Sequence, residues 1–223
     1  MLKKIIIISD GSFGDPGFFK KKMAEMGDSL IVVCDGGVRH LQKVGIKPDV
    51  IIGDMDSIAP AQLANYSAQA VKVIKYPANK DFTDTELALD YALNLKPTAI
   101  YIWGALGGRL DHTLANVFLL HKGQKAGIKT YLIDEYCEVS IIDKKASFVD
   151  AKGVTVSLFA FSPKVEGLSL RGFVYPLKDA VLTMGESRGV SNIINEADAK
   201  ISVRAGNLLV IHYWQKDVVP EAL

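Results

Sequence analysis

Residues 49–57 read Asp-Val-Ile-Ile-Gly-Asp-Met-Asp-Ser, DVIIGDMDS. A short apolar run stops at a glycine and is followed at once by two carboxylates one residue apart, Asp54 and Asp56. A run that is apolar throughout, rather than alternating, describes a strand buried on both faces, and such strands belong to parallel sheets covered by helices. The design recurs through the first half of the chain. KIIIIS, SLIVVC, VKVIK, AIYIW and KTYLI alternate with helix-like segments such as PGFFKKKMAEMG and TDTELALDYALNL. That order predicts an α/β domain with a Rossmann-like, mostly parallel sheet flanked by helices. The loops after the strands are SDGS, CDGG, GDMDS, NKDFTD and WGALGGRLDH. Asp and Gly thus gather at the carboxyl edge of the sheet, where open parallel sheets hold their ligands.

From about Glu138 the pattern changes to EVSIID, GVTVSLFAF, KVEGLSLRG, AVLTM, AKISVRA and NLLVIHYW, separated by turn residues. This predicts a smaller all-β sandwich, with Ala205-Gly206-Asn207 as a hairpin-like link between its last two strands. The division is residues 1–137 as an α/β domain and 138–223 as the β-sandwich.

Composition narrows the function. Lys plus Arg number 26 against 25 Asp plus Glu, a formal net charge of +1, so no global field draws the chain to nucleic acid or to an anionic membrane. Any charged-ligand chemistry is local. No segment approaches the roughly 18 to 20 apolar residues of a membrane span. The opening MLKKIIIISDGS places lysines before an apolar run, but the run is too short and lacks a cleavage site, so it reads as a first buried strand. Two cysteines, Cys34 and Cys137, have neither metal-ligand spacing nor the numbers for a disulfide framework. The expectation is a cytoplasmic protein, with Cys34, after LIVV, an inert core thiol.

Four clusters carry the chemistry. Asp54 and Asp56, if extended, point the same way with Cα atoms roughly 6.5 to 7 Å apart. Such a pair suits Mg²⁺, which is usually held by one or two carboxylates plus substrate phosphate. The competing reading is a turn whose Asp caps a helix starting near Pro60. In NKDFTDTELALDYAL, Thr83 and Glu86 form a capping-box pattern, yet Asp81, Asp84 and Lys80 exceed what one cap needs. Asp84 would join the metal carboxylates and Lys80 would meet phosphate. In GALGGRLDHTLANVFLL, Gly107 and Gly108 permit close backbone approach, the following helix start offers N–H groups to an anion, and Arg109 can grip phosphate bidentately. Asp111 and His112 fit a helix cap and a surface residue. In CDGGVRHLQKVG, Gly36 and Gly37 admit a ligand while Asp35 bonds a hydroxyl or caps a helix, and Arg39 and His40 read as helix-surface residues. Jointly, acidic loops and a Gly-Gly-Arg loop at one sheet edge describe a Mg²⁺-nucleotide phosphate site.

Read in order, DGG (35–37), GDMDS (53–57), KDFTDTELAL (80–89), GGRLDH (107–112) and GVSN (189–192) resemble the thiamine pyrophosphokinase (thiamine diphosphokinase) family from about Ile5 to Trp214. The resemblance implies an N-terminal α/β domain that binds ATP and Mg²⁺, and a C-terminal sandwich that contributes to the thiamine site. It also implies a homodimer with active sites between subunits. On it, Asp54, Asp56 and Asp84 match the metal-binding carboxylates, and Asp35, Asp81, Thr83, Arg109 and Asp111 contact nucleotide or support the site. Lys80 falls where some relatives carry Gln near the substrate, and Ser191 and Asn192 match the segment that meets thiamine. The aromatic residue that animal members carry after the SN pair is replaced here by Ile193, Ile194 and Asn195, leaving Tyr175 and Trp214 as candidates to stack on thiamine. The implied reaction moves the diphosphoryl group of ATP to the hydroxyl of thiamine, giving thiamine diphosphate and AMP, with Asp56 or Asp81 placed to take the hydroxyl proton. Two rivals remain at this level. A two-metal phosphohydrolase would want more His in acidic loops than His112, and a non-catalytic nucleotide or thiamine sensor would need no acidic triad.

Overall fold

Four consecutive isoleucines, Ile5–Ile8, each at most 2 % exposed, form most of the central strand β1 (Lys4–Ile8). The computed structural model describes residues 4–79 and 81–214, in two compact units, Met1–Glu135 and Tyr136–Leu223. In the first unit β1 pairs in parallel with β2 (Ser29–Cys34) on one side and β5 (Ala99–Trp103) on the other. β3 (Val50–Gly53) and β4 (Lys72–Lys75) continue beyond β2, and β6 (Lys129–Ile133) lies outside β5. The order is therefore β6-β5-β1-β2-β3-β4, all parallel, as the uniformly apolar strands require.

Among the described residues five α-helices accompany the sheet: α1 (Pro16–Met26), α2 (Val38–Val44), α3 (Pro60–Ala68), α4 (Asp84–Asn94) and α5 (Leu110–Lys125). Asp15 caps α1 by accepting from the Gly17 and Phe18 N–H groups, with Pro16 at the first helical position, where its missing N–H costs nothing. Lys122 of α5 ties α4 to α5 through Glu86 at 2.9 Å and Asp90 at 2.6 Å. No helix among the described residues is long and apolar enough to cross a membrane. The chain leaves β4 at one edge and re-enters at β5 on the far side of β1. The strand order reverses there, the point at which open parallel sheets hold their ligands.

The second unit contains β7 (Cys137–Ile142), β8 (Lys145–Val149), β9 (Thr155–Ala160), β10 (Lys164–Arg171), β11 (Leu177–Thr183), β12 (Gly189–Ile193), β13 (Asp198–Ser202) and β14 (Leu208–Tyr213). Its antiparallel ladders run β12-β9-β14-β7 and β11-β10-β13-β8. Val156, Leu158, Leu208 and Val210 from the first and Leu168, Leu170, Ala199 and Ile201 from the second fill one core, so the unit is a sandwich. Two strands escape sequence reading: β8 buries little, and β12 (GVSNI) is built largely from weak strand formers. The expected hairpin at Ala205-Gly206-Asn207 does not form. β13 pairs with β8 and β10, whereas β14 pairs with β7 and β9, so this turn carries the chain between sheets. Both strands bury residues in the same core from opposite sides, which adjacent strands of one hairpin could not do.

Candidate active site

The loops after β1 and β5 are fastened together by Ser9 N–H to Trp103 O and Gly11 N–H to Gly104 O, both 2.8 Å. A Cβ on Gly11 would run into the Gly104 carbonyl, and one on Gly104 would sit 2.6 Å from Ser9 O, so only glycine permits this approach. Asn116 Nδ2 donates to Ala105 O at 2.8 Å, Trp103 Nε1 to Phe13 O at 2.7 Å, and His40 Nε2 to Gly11 O at 3.1 Å. His40 is buried and stacked on Phe13, with centroids 4.8 Å apart. It is therefore a pin for the β1 loop, not the helix-surface residue expected from sequence. The crevice between the loops is a cavity of about 690 Å³, lined by Ser9–Ser12, Gly36, Arg39, Phe82–Thr85, Gly104 and Gly107–Arg109 among others.

Beside it stand the acids. Asp35, Asp54 and Asp56 each offer an oxygen within 4.8 Å of the others. They converge through a turn rather than an extended segment. Met55 takes φ 68° with its side chain buried, and Asp56 N–H donates to Asp54 Oδ1 at 3.3 Å. Burying the middle residue turns both neighbouring carboxylates the same way. Neither acid caps α3, whose N-cap is Ala59 with no side-chain bond; of the structural reading the turn forms, held by Asp54, and the helix cap does not. Asp35 is 2 % exposed, accepts from Ser57 N–H at 3.2 Å, and keeps Oδ1 buried with no hydrogen-bond partner. Burial first, then the close approach of the Asp54 carboxyl and the charges of Asp54 and Asp56, push its carboxyl up to about 6, against the Ser57 N–H bond that lowers it. Gly53 makes the room: a Cβ there would lie 2.6 Å from Asp35 Cβ and 3.4 Å from Asp84 Cγ. Asp84 thus stands next to Asp35, outside the tight group of three. A buried carboxylate oxygen with no donor, facing two more carboxylates, is an all-oxygen donor set for a hard cation such as Mg²⁺.

In the second unit Asn192 is buried. Its Oδ1 accepts from Tyr175 N–H at 3.1 Å and Ile193 N–H at 2.9 Å, and its Nδ2 donates to Tyr175 O at 2.8 Å. It holds the Tyr175 backbone, leaving the ring 65 % exposed beside exposed Val174 and Ile193. Ser191 adopts φ 56° and is tied through its N–H to Ser157 Oγ at 3.0 Å. Trp214 is half-buried, edge-on to His212.

Residues 23–132 match the family model described as thiamin pyrophosphokinase, catalytic domain, and residues 138–208 match thiamin pyrophosphokinase, vitamin B1 binding domain. The chain belongs to the thiamine pyrophosphokinase family. Thiamine pyrophosphokinase of Bacillus subtilis is 35 % identical over 82 % of this chain and 86 % of its own length. The crystal structure of that enzyme covers 97 % of this chain and 100 % of its own, with TM-score 0.85 and 32 % identity. The thiamin pyrophosphokinase of Geobacillus thermodenitrificans covers 96 % and 99 %, with TM-score 0.80 and 28 % identity. The activity is that of a thiamine diphosphokinase: the diphosphoryl group of ATP passes to thiamine, giving thiamine diphosphate and AMP.

For a thiamine pyrophosphokinase, the remaining sequence-derived residues fall as follows. Thr83, Asp84, Gly36, Gly107, Gly108 and Arg109 line the large cavity. Thr83 also caps α4, accepting from Glu86 N–H at 3.2 Å, while Glu86 turns to Lys122 instead of completing a capping box. Gly37 packs under β1, where a Cβ would lie 2.6 Å from Ile8 O, so it serves the loop's fit rather than a ligand. Arg109 is engaged by Asp111 in a two-point pair, Nε–Oδ1 3.1 Å and Nη2–Oδ2 2.5 Å. That pair holds the Asp111 carboxyl down at about 2. Asp111 does not cap α5, whose N-cap is Arg109. Asp81 is exposed and does not line the cavity, and Lys80 lies outside the described residues. Sequence reading missed Asp10 and Arg39, which bond each other at 2.7 Å on the cavity wall. Their signal was the SDGS loop and an Arg two residues after Gly-Gly. It also missed Phe82, 52 % exposed at the cavity, inside a motif read only for its acids. Cys34 is buried, and burial, with the nearby Asp84 charge, pushes its thiol up to about 12, as an inert core thiol requires.

Proposed function

We propose that the diphosphoryl transfer runs with Mg²⁺ held by Asp35, Asp54 and Asp56, with Asp84 at the edge of the same site, in a cytoplasmic homodimer. The carrying observation is the convergence of three carboxylates, none used as a helix cap, beside a cavity at the point where strand order reverses. Held there, the cation would supply positive charge to offset that of the phosphates, as in other phosphoryl transfers. Arg109 swings from Asp111 to the phosphates, Arg39 reaches them from the opposite wall, and Gly107 and Gly108 let the chain lie against the backbone. Asp56, the exposed member of the group, is open to the hydroxyl proton of thiamine, whereas Asp81 is set apart from the cavity. Tyr175, presented by Asn192 and flanked by Ser191, offers the apolar face on which a thiamine ring would rest. Pairing of two copies is supported by α5, where Leu110, Leu114 and Phe118 recur every four residues and are 71 %, 49 % and 63 % exposed. A surface stripe of that kind marks an association face. Leu110 directly follows Arg109, so a partner seated there borders the active site.

Incubation with ATP, Mg²⁺ and thiamine is expected to yield AMP and thiamine diphosphate. Orthophosphate released without thiamine would support a phosphohydrolase, and unchanged ATP a sensor. Calorimetric titration with Mn²⁺ is expected to show a site lost in Asp54→Asn and Asp56→Asn. Unaltered Mn²⁺ binding in both would overturn the ligand assignment whatever the turnover.

A further inference from the structure

We propose that the backbone N–H of Ser12 is a phosphate donor of the diphosphoryl-transfer site, and that His40 is the positioning residue that aims it by gripping the Gly11 carbonyl. The inference rests on the reading of the large cavity as the seat of ATP.

The peptide between Gly11 and Ser12 has two polar ends. No described peptide is cis, so its carbonyl and its N–H point to opposite sides of the chain. The carbonyl end is claimed, because His40 Nε2 donates to Gly11 O at 3.1 Å from α2. Phe13 O is claimed as well, by Trp103 Nε1 at 2.7 Å, and Gly11 N–H donates to Gly104 O at 2.8 Å. Ser12 therefore sits in backbone fixed on both sides, yet its own N–H and Oγ take no hydrogen-bond partner among the described residues. With Gly11 O turned to α2, the Ser12 N–H turns away from that helix. Ser12 is exposed and lines the large cavity. Beside it lies Gly107, where a Cβ would come within 3.1 Å of Ser12 Cβ, and Gly108 and Arg109 line the same space. A fixed N–H that shares a cavity with an arginine suits a phosphate oxygen, since a preorganised donor needs no rearrangement as charge develops.

His40 can pin the carbonyl in only one way. A carbonyl accepts, so the ring proton sits on Nε2. Nδ1 is buried with no partner among the described residues, and the ring stacks on Phe13 with centroids 4.8 Å apart and planes 10° apart. A second proton on Nδ1 would meet no acceptor, and burial, then the Arg39 charge, pull the imidazole below the ordinary histidine value. The ring thus stays neutral, with one donor aimed at one carbonyl.

The test is titration calorimetry of the full chain with ATP and Mg²⁺, together with steady-state kinetics in both substrates and melting curves that confirm folding. Ser12→Pro deletes the N–H and Ser12→Ala keeps it. The proline variant is expected to bind ATP about ten- to a hundredfold more weakly than the alanine variant, as for a lost bond to a charged group. His40→Leu, which has no donor, is expected to raise the KM for ATP about tenfold with the KM for thiamine unchanged. His40→Gln returns an amide donor near the position of Nε2 and is expected to bring the KM for ATP back to within about threefold of wild type. A His40 that only supported the fold would raise both KM values together and gain nothing from glutamine. Should proline at position 12 prevent folding, the two His40 variants decide alone. Equal ATP binding in the folded proline and alanine variants, or a folded His40→Leu with the wild-type KM for ATP, overturns the proposal. Arg109→Ala tests the cavity itself. If it loses ATP affinity while Ser12→Pro and His40→Leu keep theirs, the donor fails and the cavity reading stands; if none of the three loses affinity, both fail.

Discussion

Replacing Asp35 by Asn separates what this carboxylate does for the fold from what it does for the cation. Asp35 is almost wholly buried, faces Asp54 and Asp56, and has its carboxyl raised from 3.8 to about 6. A shift of that size corresponds to about 3 kcal/mol against the charged form. Solvent at the open side of the group, where Asp56 is exposed, screens part of this, so about 1–3 kcal/mol is expected. The sign follows from proton counting. Between 3.8 and about 6 the folded state holds more protons than the unfolded chain, so stability falls as pH rises through that window and the full cost is present at pH 7.5. Asn keeps an oxygen for the Ser57 N–H and offers an amide donor to the neighbouring carboxylates. In EDTA at pH 7.5, Asp35→Asn is therefore expected to melt about 2–12 °C above wild type, on the scale for chains of this size. The gap should close as the pH approaches 4. Added Mg²⁺ should reverse the order by stabilising wild type and sparing the variant, because ligand binding to the folded state adds stability in proportion to affinity. Calorimetric melting curves with and without Mg²⁺ measure all three effects. A variant less stable than wild type in EDTA, or a gap independent of pH, would refute the account of Asp35 as a charge stored for a cation.

Tyr175→Ala is expected to raise the KM for thiamine about tenfold, with the KM for ATP unchanged, on the scale of losing a stacked ring; steady-state kinetics in both substrates checks it. Asn192→Ala should do the same and also cost about 1–3 kcal/mol in denaturant unfolding, since it strands the Tyr175 N–H and C=O that the amide now satisfies. Phe118→Asp on α5 should convert a dimer to a monomer in sedimentation velocity, leaving the melting temperature of the chain within a few degrees. Cys34 should resist Ellman's reagent at pH 8 in the native protein and react promptly in guanidinium, as a thiol pushed up to about 12 by burial stays protonated.

The central strands of the first unit, β1, β2, β3 and β5, were legible because a largely apolar run has one stable use, as a strand covered on both faces; the edge strand β4, with both its lysines exposed, was legible from its place in the alternation of strand and helix. His40 was misread for a different reason, whereas Arg39 does lie exposed on α2. Helical periodicity reports which side of α2 faces the core, but not that the loop after β1 folds over that helix to cover His40. In the second unit the alternating runs announced strands without saying which sheet each joins. The Ala205–Asn207 turn was misassigned because strand pairing depends on partners distant in sequence.

Local pattern and residue chemistry suffice for the parallel α/β sheet, the gathering of Asp and Gly at its carboxyl edge, the motif order that marks the family, and the supply of carboxylates there. Tertiary structure decided which carboxylates meet. The left-handed turn at Met55 and the gap left by Gly53 bring Asp35 against Asp54 and Asp56, although Asp35 lies on a different strand end. Only packing can set that distance, because it is a property of where β2 and β3 end relative to one another.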